Sequence, residues 1–234
     1  MAPALAADDG PLLCPPSTWF CGKYITNRGA DIKLALQEHI SLALGGVALG
    51  LVLSFGLALL ARRSQVLRNV ILGGSTLLYT IPSLALLAIL VPLIGLSKSQ
   101  YAVLFGIAIY SLVVLVRAFV TGLAGVPDEV TEAARGMGFG TVRMLLRVEL
   151  PLALPTIMAG LRVATVSGIA LVTLGVVVDH GGLGNLLDEA TTHGYKFEAL
   201  TASVLCVVLA VVADVVLLLM QKLITPWRRG RAAR

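Results

Sequence analysis

The stretch "EAARGMGFGTVRMLLRVELPLALP", Glu132 to Pro155, gathers three glycines, three arginines, two glutamates and two prolines in a chain only 13% charged. Arginine and glutamate recognise charged partners, and glycine lets a backbone turn or another surface come close. The chemistry on offer is therefore recognition. Nucleotide hydrolysis is not, because no G-x-x-x-x-G-K-[ST] loop for cradling phosphates occurs in the sequence. His39, His180 and His193 are isolated, with no cysteine at metal-ligand spacing, and are expected as plain surface or interfacial histidines, so no metal site is expected. Cys14 and Cys21, in "CPPSTWFC", can pair in an oxidising compartment, although spacing alone leaves a disulfide open. Cys206 falls in an apolar run and is expected as a small packing residue.

The elements around this stretch must be membrane spans. The 234 residues are 57% hydrophobic with a mean hydropathy of +0.92, too apolar for one soluble domain. Five runs reach the roughly 20 residues that a crossing helix needs: 40–61, 68–95, 101–124, 153–178 and 199–223. The expected fold is all-α, a polytopic membrane helix bundle with five transmembrane helices. It divides into a tail over 1–38, a membrane domain over 39–224 with a polar loop over 127–151, and a basic tail over 225–234. The first 38 residues lack a basic region followed by an apolar core, so no cleavable signal peptide of the usual pattern is expected.

Basic residues near span ends are retained in the cytoplasm. With the N-terminus outside, only Lys23, Arg28, Lys33, Lys98 and Lys196 of the 18 lysines and arginines lie outside. The sequence therefore places the N-terminus outside, and the C-terminus and the Glu132 stretch in the cytoplasm. A net charge of +5 is then explained by basic anchors on anionic membrane lipid, with no nucleic acid partner.

The second run contains "TLLYTIPSLALL" and is too long for one straight crossing. Pro82 is the natural break, since proline removes a backbone donor and clashes one turn back. Thr80 and Ser83 are placed to satisfy the freed groups, so Thr80, Pro82 and Ser83 are candidates for a pathway or gate, the alternative being a packing kink. Arg117 and Arg162 are expected to snorkel toward the cytoplasmic interface, whereas Asp214, inside the last run, calls for a partner or a polar cavity.

In the loop, Pro127 suits a helix start and Asp128, Glu129 and Glu132 favour its first turns through the helix dipole. Ala133 and Ala134 permit close approach, and Gly136, Gly138 and Gly140 let the chain turn. Thr141 is a candidate N-cap for a second short helix, which Pro151 and Pro155 separate from the next span. This is a helix-turn-helix platform, unless it is an ordinary amphipathic loop on the inner leaflet.

The stretch resembles the EAA loop of ABC-importer permeases. Glu132-Ala133-Ala134, Arg135 to Met137, Gly138, Phe139 to Arg147, Val148, Glu149 and Leu150-Pro151 follow that pattern, departing only in Val148 where isoleucine is usual. Further segments, "YTIPSLALLAILVPLIG", "GMGFGTVRMLLRVELPLALPTIMAGLRVATV" and "GGLGNLL", resemble permeases of the glycine betaine, carnitine and choline importers. Asp179-His180 stands where small residues are expected.

The resemblance implies a type I importer permease in a prokaryotic inner membrane, with Glu132, Ala133, Ala134, Arg135, Gly136, Gly138, Leu150 and Pro151 in an ATPase-coupling loop. It also implies a separate ATPase subunit that binds ATP and Mg, an extracytoplasmic substrate-binding protein as a separate chain, and a second permease chain, identical or not. This chain itself is expected to hold no cofactor and to be no enzyme. Spans and kinks alone also fit a stand-alone secondary transporter or channel. An intramembrane hydrolase built on Ser167 is disfavoured because the histidines map to the outer side. With 6% aromatic residues and no evident cluster, no cage for a quaternary amine is readable.

Overall fold

The computed structural model describes residues 14–226, which are helical, with no strand among them. The outermost termini, including Arg228, Arg229, Arg231 and Arg234 of the basic tail, lie outside the described residues. Helices α1 (Gly22–Asn27) and α2 (Gly29–Ala61) open the chain. The first long helix thus starts ten residues before the expected tail boundary. At 1.5 Å per residue, α2 is about 50 Å long against a hydrocarbon core of roughly 30 Å, so one end projects beyond it.

The second apolar run becomes α3 (Gln65–Tyr79) and α4 (Ser83–Ile94), bent by 96°. Helix α5 (Ser99–Ala124) follows, then α6 (Asp128–Gly136) and α7 (Thr141–Met144). A π-helical turn, Leu145–Glu149, runs into α8 (Leu150–Val172) and a 3-10 turn, Thr173–Val178. Helices α9 (Leu183–His193) and α10 (Lys196–Ile224) complete the described chain.

Side-chain levels fix the direction of each crossing. Helices α2 and α5 run parallel, Gly50 lying against Ala108 and Ser111, and Ser54 bonding the Leu112 carbonyl at 3.2 Å. A methyl group on Gly50 would stand 2.8 Å from the Ala108 carbonyl oxygen, so glycine is what brings these backbones together. Helix α8 runs back along α5, with Ala153 against Gly122 and Gly168 against Ile107. Helix α10 reverses again, with Asp214 beside Arg162 and Gln221 beside Pro155.

The bent pair climbs opposite to α5. Ile71 and Leu72 pack in the cluster of Ala58, Val116 and Phe119, Thr76 bonds Arg117, Ile81 bonds Tyr110, and Leu87 meets Gly106. It is therefore a broken span that returns the chain to the end where α2 began. Five crossings result. Two apolar clusters hold them together, one around Val47, Ile107 and Val172 and one around Ala58, Phe119 and Ile157.

Candidate functional site

The loop over 127–151 hangs below the bundle between α5 and α8. Pro127 stands in extended conformation before α6, with Asp128 and Glu129 in its first turn and Arg135 in its last, each complementing the helix dipole. The helix stops in a Schellman motif: Phe139 N donates to the Ala134 carbonyl at 3.1 Å and Gly138 N to the Arg135 carbonyl at 2.9 Å. Gly138 has a φ of +79°, the left-handed conformation this stop requires. Gly136 is helical and Gly140 extended, so of the three loop glycines only Gly138 turns the chain. Thr141 is the first residue of α7 and makes no cap bond; Gly140 takes the cap position.

Glu132, Ala133, Arg135 and Gly136 are exposed on α6, whereas Ala134 is buried. Around them Val130, Met137, Val142 and Leu146 are also exposed, and Arg143 lies 4.5 Å over the Phe139 ring. Among the described residues no ion pair engages Glu132 or Arg135. The loop thus presents a small apolar surface with two uncommitted charges, which is the composition of a docking face.

Leu150 and Pro151 belong to the bundle instead. Leu150 packs against the Ala58 and Phe119 cluster, and Pro151 lies in the first turn of α8, where a missing N–H costs little. The expected separation at Pro151 and Pro155 is absent: helix runs from Thr141 to Val178, and the π turn absorbs the transition. The last residue of that turn, Glu149, is buried and accepts two hydrogen bonds from Arg62 at the end of α2, of 2.5 and 2.8 Å. The sequence reading missed this pair. Its only signal was a cation just past one apolar run and an anion just before another.

At the break in the second span, Thr80 caps α3 and its hydroxyl donates to the Leu77 carbonyl at 2.7 Å. The freed Ile81 carbonyl is satisfied by the Tyr110 hydroxyl of α5, again unforeseen. Pro82 is exposed, and Ser83 lines a narrow cleft with Leu86, Leu87, Gly106 and Tyr110. The break brings Thr80, Pro82 and Ser83 to one corner, distant along the chain from the Glu132 loop.

The opposite end of the bundle is tied by polar contacts. Cys14 and Cys21 form a disulfide, and Cys206 is free. Arg28 pairs with Asp31 at 3.1 Å, Glu189 at 2.6 Å and Glu198 at 3.4 Å. Burial works against the Arg28 charge, but the bonds to Glu189 and Asp31 outweigh it and hold the guanidinium above its ordinary pKa. Burial, and then the 2.7 Å bond to Glu198, push the Tyr24 phenol up. Tyr24, Phe197, Tyr195 and His193 form a continuous stack with centroids 5.1 to 5.5 Å apart, an aromatic cluster invisible in the sequence. Its rings pack on one another and enclose no cage.

His39, expected as a plain surface or interfacial histidine, is fully buried. Its Nε2 lies 3.0 Å from the Ile169 carbonyl and its Nδ1 accepts from Leu183 N at 3.3 Å. A carbonyl needs a donor and an amide needs an acceptor, so the ring is neutral with its proton on Nε2. His180 pairs with Glu38 at 2.9 Å, which occupies the loop position where a small residue was expected. In the spans, Arg162 meets Asp214 in two bonds of 2.7 Å, and Arg117 donates to Thr76. Both arginines therefore have protein partners. Among the described residues, no group of three or more histidines, cysteines and acids is placed to hold a metal.

Comparison with known proteins agrees with this arrangement. Residues 46–230 match the family described as "Binding-protein-dependent transport system inner membrane component". The osmoprotectant import permease protein OsmW of Salmonella typhimurium is 35% identical over 206 residues, 86% of this chain and 95% of that protein. The choline transport system permease protein OpuBB of Bacillus subtilis is 31% identical over 87% of this chain and 93% of its own length. Among solved structures, a chain of the MetNI methionine ABC transporter in an inward-facing conformation superposes with a TM-score of 0.75 at 19% identity, covering 85% of this chain and 98% of that one. A bundle of alternating crossings with one broken span and an exposed loop between its third and fourth crossings, matched over most of its length, places this chain among the inner-membrane permease components of binding-protein-dependent ABC transport systems.

Proposed function

We propose that this chain is the permease of an importer for osmoprotectants or related quaternary amines such as glycine betaine, choline, carnitine or proline betaine. The relatives whose names carry those substrates support the substrate class. The observation that carries the mechanism is α6, an exposed helix whose Glu132 and Arg135 have no ion-pair partner among the described residues while Val130 and Met137 face outward. A separate ATPase subunit, which binds ATP and Mg, covers that surface, and its closure moves the loop.

Two permease chains form the path, and a substrate-binding protein delivers cargo at the opposite end. The α3–α4 break, with Thr80, Pro82 and Ser83, contributes a gate on the path. The distribution of basic residues supports an outside N-terminus and a cytoplasmic loop and C-terminus. The test is reconstitution of the assembled complex in vesicles. ATP-dependent uptake of a radiolabelled quaternary amine, abolished without the binding protein, is the expected result; uptake independent of ATP refutes it.

A further inference from the structure

Three routes lead from the exposed loop into the bundle. Two are covalent, through buried Val126 into α5 and through Glu149 into α8. The third is the pair of hydrogen bonds from Arg62 Nη1 and Nη2 to the Glu149 carboxylate. Arg62 stands where α2 ends, and Ser64, two residues on, caps α3 through a 3.1 Å bond from Leu67 N. The pair thus fastens the end of the loop to the corner joining the first span to the broken one.

Two further observations bear on what this fastening does. The anchor residue closes a π-helical turn, a local register defect that lets a helix change its winding without losing its backbone hydrogen bonds. Between the α2–α3 corner and the end of α5 lies a cavity of about 210 Å³, lined by Ala58, Arg62, Arg68, Val120, Leu123 and Ala124, among others. Ala58 and Ala61 pack against α5 beside it, and the cavity leaves free space next to Arg62 itself.

From this geometry we infer that Arg62 and Glu149 are a positioning pair that carries displacement of the loop to the α2–α3 corner, and through it to the broken span α3–α4. The inference rests on the importer reading and adds a route to it. Fork-to-fork contact between guanidinium and carboxylate suits the role, because two parallel bonds transmit rotation as well as translation, which a single point contact does not. Helix α8 alone would move the fourth crossing and leave the second to follow through side-chain packing.

The test uses the whole transporter, with its ATPase and binding protein, in vesicles. Arg62→Glu and Glu149→Arg each place like charges face to face, and the double exchange restores an opposite pair. Each single variant should still assemble with the ATPase and hydrolyse ATP while transporting about tenfold less substrate per ATP. The double exchange should recover most of that ratio, and Arg62→Lys, with charge but no fork, should fall between. Should a single variant fail to assemble, Arg62→Gln and Glu149→Gln give the same reading without repulsion. Unchanged substrate per ATP in the single variants, or a double exchange no better coupled than either, overturns the link. Absence of ATP-driven uptake by the unaltered complex overturns the importer reading as well, so the two failures are distinct.

Discussion

Arg162 on α8 and Asp214 on α10 face each other across two hydrogen bonds of 2.7 Å, fifty-two positions apart in sequence and both within membrane-crossing helices. Each solves the other's problem, since a lone charge at that depth has no water to solvate it. Asp214→Leu or Arg162→Leu alone should lower the yield of folded protein and its thermal midpoint in detergent. The double leucine variant should recover toward the unaltered chain, because an apolar pair replaces an ion pair at little loss. Equal damage in single and double variants would mean that the pair itself is what holds α10.

His39 joins α2 to the Ile169 carbonyl of α8 and to the start of α9. Replacement by leucine leaves the buried Leu183 amide without its acceptor, at a cost of about 1 to 3 kcal/mol. Denaturant unfolding in detergent should register the loss, and ATP hydrolysis by the assembled complex should not change in the same proportion.

Tyr110→Phe removes the hydroxyl that satisfies Ile81 at the break in the second span while keeping the ring against Tyr79. Uptake should fall about three- to tenfold with ATPase association intact, if the break is a gate. An unaltered rate would reduce the break to a packing kink.

The disulfide gives a simple readout. The chain has three cysteines, of which Cys206 is free. Unfolded without reductant, the protein should take up one maleimide, and after reduction three. Cys14→Ser should loosen the segment that packs on Tyr24 and Phe197, seen as faster proteolysis before Gly29.

Much of this architecture is written in local pattern. Five apolar runs give five crossings, and the break falls at Pro82 because proline forbids a straight helix there. Gly138 is legible as a turn because only a left-handed residue closes α6. What the sequence hides is long-range. The first long helix begins at Gly29, where Asp31, Lys33 and Glu38 depress hydropathy; two of these pair with Arg28 and His180, so they suit a helix packed against the loops at that end. Pro151 and Pro155 read as breaks, yet one sits in a first turn and both follow a π turn that reorganises the local bonding. Arg62 with Glu149 and Arg162 with Asp214 each join residues from different helices, and no spacing rule connects them.

The most direct measurement is copurification of the chain from its native membranes in mild detergent, comparing the unaltered protein with Glu132→Arg. Both should insert and be recovered in equal amount. The unaltered chain should bring an ATPase subunit with it, and the variant about tenfold less, because Glu132 lies exposed on α6 with no ion-pair partner among the described residues. Equal recovery of the ATPase with both proteins would show that α6 is not the docking face; no ATPase with either, under conditions where other multisubunit transporters survive, would contradict the importer reading itself.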